Sequence, residues 1–179
     1  MIKSDYKKYK RYGGSFVGIV FFTQGFWAII QFRTASYVYH NVKVFGIRQF
    51  LLLGCLIWQK LIEIITGISI PSSVEIGHSF YVGHFGGIII HPRARIGVNC
   101  NLSHGVTIGV SGRGASRGVP CIGDNVYIGC NSSVVGNIQI GDNCVIGANS
   151  LVNKSVPANN TVLGVPASII SANTSKDYI

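Results

Sequence analysis

The sequence predicts a mainly β protein, a parallel β-helix of six-residue repeats preceded by a short α-helical region. A six-residue period of aliphatic residues runs from Ile70 to Val152, asparagine recurs within it at a fixed phase, and the first third of the chain differs in charge and texture. A six-residue period belongs neither to an α-helix nor to plain strand alternation. It arises when each hexad makes a short strand and a turn, and several hexads close one coil that stacks on the next.

The hexad leaders are Ile70, Ile76, Val82, then Ile90, Ile96, Leu102, Ile108, then Ile122, Ile128, Val134, Ile140, Ile146 and Val152. All thirteen are Ile, Val or Leu, and eight are followed directly by glycine, so the leader is expected to point inward with a small residue at the bend. Asparagine stands three residues past the leader at Asn99, Asn125, Asn131, Asn137, Asn143 and Asn149. It tolerates the left-handed backbone region, which suits a tight turn.

Two breaks interrupt the register. Val82 to Ile90 is two residues longer than a hexad and encloses Gly83-His84-Phe85-Gly86-Gly87. Ile108 to Ile122 is eight residues longer and encloses Val110 to Gly118. A stacked coil accommodates insertions only outward, and in repeat proteins such loops often build the binding face. His84 lies in the first break, and an imidazole is well suited to take a proton near neutral pH. The second loop offers backbone N–H groups and two arginines to an anionic ligand.

Upstream, residues 1–67 hold nine Lys/Arg against two acids, most of the chain's net charge of +9. Residues 12–32 run uncharged, but glycines, Thr23, Gln24 and Gln31 dilute the stretch, and no small-residue cleavage site follows it. Two or three helices are expected across roughly 15–66, joined near His40–Gly46 and stopped by Gly67. They are expected to serve as a helical cap or oligomer interface, as a peripheral membrane contact through residues 1–32 with Lys7, Lys8, Lys10 and Arg11 facing lipid phosphates, or as a transmembrane helix. The division is 1–67 helical, 68–170 β-helix and 171–179 tail.

The 179 residues are 47% hydrophobic and only 12% charged, which argues against disorder. The 23 glycines follow no every-third-residue rule, which excludes collagen. The basic charge lacks a nucleic-acid recognition motif, so no nucleic acid is expected as a partner. Five cysteines without a CxxC pair suggest neither a disulfide framework nor a metal site, and reduced thiols in small apolar positions of a cytoplasmic protein are expected.

From about Gly67 to Ile170 the chain resembles the hexapeptide-repeat acyltransferases, and within them the serine acetyltransferase family. The hexads, GHFGG at 83–87, VTIG at 106–109 and GVPA at 164–167 carry the resemblance. It implies a left-handed parallel β-helix, a homotrimer that two such trimers could extend through the helices, and acetyl-coenzyme A as co-substrate with no metal. It also implies that His84 is the general base, that Gly109, Ser111 and Gly112 lie where backbone N–H groups steady the oxyanion, and that Ser111, Gly112, Arg113, Gly129, Cys130, Ala148 and Lys154 line the coenzyme channel. Arg113 and Lys154 would meet its phosphates.

Departures from the family pattern bear on the acceptor. The aspartate fifteen residues before the histidine is Ser69 here, and the aspartate beside it is Gly83. An Arg-His pair on the substrate side becomes Gly118-Val119, and His104 stands where glutamine is common. His78 and His91 are taken as bystanders. With its short apolar amino-terminal region, the chain looks like the capsule, lipopolysaccharide or exopolysaccharide O-acetyltransferases. The expectation is therefore acetyl transfer to a saccharide hydroxyl, in the cytoplasm or at the inner face of the plasma membrane. The alternatives are a serine O-acetyltransferase of cysteine biosynthesis and a non-catalytic β-helix scaffold.

Overall fold

None of the thirteen hexad leaders is more than 6% exposed, so the six-residue period is the spacing of an inward stack. Each such aliphatic side chain gains roughly 1.5–3 kcal/mol on full burial. The computed structural model describes residues 1–179 except Ala115 and Ser116, which belong to the second insertion and lie outside the described residues.

The strands form three parallel sheets, one for each face of a prism. The first holds β1 (Ile68–Ser69), β4 (Ile88–Ile90), β7 (Thr107–Gly109), β10 (Ser133–Val135) and β13 (Leu151–Val152). The second holds β2 (Glu75–Ile76), β5 (Arg95–Ile96), β8 (Cys121–Ile122) and β11 (Gln139–Ile140). The third holds β3 (Tyr81–Val82), β6 (Asn101–Leu102), β9 (Tyr127–Ile128), β12 (Val145–Ile146), β14 (Thr161–Gly164) and β15 (Ala167–Ser171), with only the last pair antiparallel.

Ile89 pairs with Thr107 and Ser133 with Leu151, an offset of 18 residues, so three hexads make one coil. The offset is 20 between Ile68 and Ile88 and 26 between Thr107 and Ser133. The two and eight extra residues of the breaks are thus looped outward while the stack continues. The second loop begins as a hairpin, Ser111 and Gly118 exchanging N–H···O bonds of 3.2 and 3.0 Å.

Asn99, Asn125, Asn131, Asn143 and Asn149 take positive φ, as their phase predicts. Asn137 does not; Gly136 takes that role there, with φ 102°. Asn99, Asn125, Asn143 and Asn159 also form a ladder of amide bonds of 2.9–3.0 Å up one corner.

Three helices fall in the expected span: α2 (Phe16–Phe22), α3 (Gln24–Asn41) and α4 (Phe45–Thr66), the last ended by Gly67 at φ 67°. A further helix, α1 (Ile2–Arg11), occupies the basic amino terminus. Its Asp5 lies in the first turn and Lys8, Lys10 and Arg11 in the last, an order that complements the helix dipole.

Lys8 does not face lipid. Its side chain is fully buried and donates to the Asn99 carbonyl at 2.9 Å. Burial lowers its pKa to about 8. Periodicity concealed this, because α1 docks through polar groups. Asp5 pairs with Arg33 and accepts from the Phe80 N–H, and Tyr9 bonds Val82.

By contrast, α4 rests on the prism through Ile62 and Thr66 and leaves large apolar side chains such as Phe45 and Ile64 exposed. It is long and apolar enough to cross a membrane by length and composition, with 11% of its most apolar window buried. Cys100 and Cys144 fill buried positions as expected, whereas Cys121 is exposed.

Candidate active site

His84 is placed by a strand held from behind. The Tyr9 hydroxyl donates to the Val82 carbonyl at 2.7 Å and accepts from the Val82 N–H at 3.2 Å, closing the free edge of β3. Burial raises the Tyr9 pKa well above the usual phenol range, so this hydroxyl stays protonated. Gly25, near the start of α3, packs so closely that a Cβ there would overlap the Val82 carbonyl.

Beyond Val82 the loop is fixed by backbone bonds. The Gly83 N–H reaches the Leu102 carbonyl at 3.3 Å, the Gly86 N–H reaches Thr66 at 2.7 Å, and the Gly105 N–H reaches Gly86 at 2.9 Å. Gly86 and Gly87 adopt φ of 100° and 65°, the conformation that lets a two-residue insertion turn outward. His84 is thereby exposed at the surface, its ring 6.0 Å from that of His104 and nearly perpendicular to it. The fold thus brings two of the candidate residues, His84 and His104, side by side.

Beside His84 lies a cavity of about 180 Å³, lined by Tyr12, Tyr81, Gly83, Asn101, Leu102, Ser103, Tyr127 and Tyr178. Tyr81, Asn101 and Tyr127 are register partners on β3, β6 and β9, each one residue before a leader. Tyr12 stacks on Tyr81 at 4.5 Å, and Tyr178 on Tyr127 at 4.7 Å. Burial and the neighbouring Tyr12 push the Tyr81 pKa up. No Asp, Glu, Lys or Arg is among the lining residues, so polarity comes from the Asn101 amide and from hydroxyls. Sequence reasoning missed these residues. Their signal was the common phase of Tyr81, Asn101 and Tyr127, one coil apart.

Ser69, at the position of the family aspartate, donates to Glu63 Oε1 at 2.7 Å. Burial raises the Glu63 pKa, but hydrogen bonds from Lys60, Ser69 and Gln59 outweigh it and hold the carboxyl below its usual range. A carboxylate therefore stands behind Ser69, supplied by α4.

Among the expected oxyanion positions, the Ser111 N–H is committed to the Gly118 carbonyl, which removes it as a donor. Gly109 ends β7, and Gly112 turns the loop with φ 94°. A Cβ at Gly118 would lie 2.5 Å from that of Asn137, so this position leaves no room for a side chain.

Gly129 and Ala148 meet on adjacent coils, a Cβ at Gly129 falling 2.7 Å from the Ala148 nitrogen. This makes a smooth strip with Cys130 half-buried beside Gly129, while Lys154, just past β13 of the first sheet, is exposed. Arg113 is exposed on the second loop. A narrow strip of small residues with exposed cations on the loop and the upper coil suits a slender chain that ends in phosphates.

Comparison with known proteins agrees with this fold. The family model for bacterial transferase hexapeptide, six repeats, matches residues 122–154. A serine acetyltransferase of Staphylococcus xylosus is 40% identical over 112 residues, 63% of this chain and 52% of that protein. The chain thus spans about half the length of the curated relatives it matches. The serine acetyltransferase of Brucella abortus strain S19, solved with coenzyme A, superposes with TM-score 0.83 at 31% identity over 96% of this chain and 67% of that one. That of Neisseria gonorrhoeae, solved with serine, gives TM-score 0.77 at 31% identity, over 95% of this chain and 67% of that one. With a left-handed β-helix, the hexads and these relatives, the chain belongs to the hexapeptide-repeat acyltransferases of the serine acetyltransferase family.

Proposed function

We propose that this chain is an acetyl-coenzyme A-dependent O-acetyltransferase, and that its acceptor is serine. The observation that carries the reading is His84 exposed on an outward loop beside a small uncharged cavity. The His84 imidazole takes the proton of the acceptor hydroxyl, whose oxygen attacks the thioester carbonyl. The tetrahedral oxygen is steadied by backbone N–H donors at the second loop, with Gly112 the strongest candidate. As the tetrahedral centre collapses, the C–S bond breaks and the imidazolium returns its proton to the departing thiolate.

Acetyl-coenzyme A would lie along Gly129, Cys130 and Ala148, its phosphates toward Lys154 and Arg113. The relatives solved with coenzyme A support this donor. Homotrimers are proposed on the family likeness, with each coenzyme strip facing a neighbouring prism.

One observation favours serine over the saccharide expected from Ser69, Gly83 and Gly118-Val119. The relatives cited are serine acetyltransferases, one solved with serine. Thiol release from acetyl-coenzyme A should depend on L-serine. Its absence with serine, together with release on a nucleotide-linked sugar, would restore the saccharide reading.

A further inference from the structure

The Asn101 side chain is 4% exposed and its amide is half satisfied. Nδ2 donates to the Tyr12 hydroxyl at 2.7 Å and to the Tyr178 carbonyl at 2.9 Å, while Oδ1 has no partner among the described residues. The carbonyl of Tyr178 can only accept, so the atom facing it is the nitrogen and the lone atom is the oxygen. A buried acceptor without a donor destabilises whatever state holds it.

That state is held by residues 175–178. The Tyr12 hydroxyl also donates to the Tyr178 carbonyl at 3.1 Å, the Tyr178 ring stacks on Tyr127, and the Ser175 hydroxyl donates to the Asn125 carbonyl. A single carbonyl thus occupies the donors that face the cavity beside His84, and leaves the neighbouring acceptor empty.

We propose that Asn101 is the acceptor-recognition residue, and that Tyr178 is a latch which the acceptor displaces. An amide presents a donor and an acceptor side by side. It therefore matches the carboxylate and ammonium of an amino acid without carrying charge, in a cavity lined by no charged residue. With Tyr178 released, the carboxylate takes the Nδ2 and Tyr12 donors that its carbonyl held, and the ammonium donates to Oδ1. The binding of serine and the opening of the tail become one equilibrium, so the tail sets the apparent affinity. This inference rests on the serine reading above.

The test is steady-state kinetics on the full chain and on the chain lacking residues 175–179. Trading the bonds to Tyr178 for bonds to substrate predicts a serine KM about tenfold lower in the shortened chain. The kcat and the acetyl-coenzyme A KM should not change. Asn101→Leu should raise the serine KM in both chains and erase the gain from shortening. Asn101→Asp keeps an acceptor but loses the Nδ2 donor and repels the serine carboxylate, so it should raise the serine KM in both chains while leaving the acetyl-coenzyme A KM unchanged. A purely structural amide would shift the acetyl-coenzyme A KM along with the serine KM, and a folded Asn101→Asp variant with the wild-type serine KM overturns the proposal even if the leucine variant fails to fold. Serine turnover with an unchanged KM after shortening also overturns the latch and leaves the function standing. No serine turnover by either chain counts against the serine reading, and the latch falls with it.

Discussion

Arg33 Nε lies 2.8 Å from Asp5 Oδ2, with both side chains nearly out of solvent where α1 and α3 meet the prism. The same guanidinium donates to the Ile76 carbonyl at 2.7 Å and to that of Gly77, and Asp5 accepts from the Phe80 N–H. One ion pair therefore ties two helices to the end of the β-helix that leads into His84.

Removing half of such a pair strands a buried charge. Asp5→Ala should cost about 3–5 kcal/mol, whereas replacing both partners by apolar residues of similar size should cost far less. Denaturant unfolding of the single and double variants checks this; equal losses would mean that the pair is not a unit.

Lys8 makes stability depend on pH. Burial lowers its folded pKa to about 8, against 10.5 for an unperturbed lysine. Between these values the unfolded chain binds more protons than the folded one, so stability rises with pH through that window. Against Lys8→Met, the wild type should gain up to about 1.4 kcal/mol per pH unit above pH 8. Melting curves from pH 7 to 9.5 measure it, and a flat difference would contradict burial of the ammonium.

The inward stack makes its own prediction. Ile128 is fully buried in β9, and Ile128→Asp places an unpaired carboxylate in an apolar column. Far-UV circular dichroism should show loss of the folded state. A folded variant would mean that the register is misassigned.

Gly118→Arg places a long side chain against Asn137. The Cβ clash with Asn137 predicts that it distorts the hairpin at Ser111 and raises the acetyl-coenzyme A KM about tenfold or less, as expected for about 1 kcal/mol of strain. Improved serine turnover without that rise would show the loop to be more yielding.

The prism was legible because its determinants are local and periodic. Leaders such as Ile96 and Ile128 sit at one phase, and the breaks at His84 and at Val110 to Gly118 are visible as departures from it. The helical region was less legible because α1 docks through Asp5, Lys8 and Tyr9, whose partners lie far along the chain in the prism. The cavity escaped for a similar reason. It joins Tyr12 near the start to Tyr178 near the end across Asn101, a contact that no spacing rule encodes.

The central claim is that His84 takes the proton from a serine hydroxyl, and thiol release from acetyl-coenzyme A with and without L-serine tests it most directly. The wild type should show serine-dependent release. His84→Ala should lower kcat by about 10²–10⁴-fold, the usual contribution of a general base, while coenzyme protection in a thermal melt is retained. Undiminished serine-dependent release by His84→Ala would contradict the account.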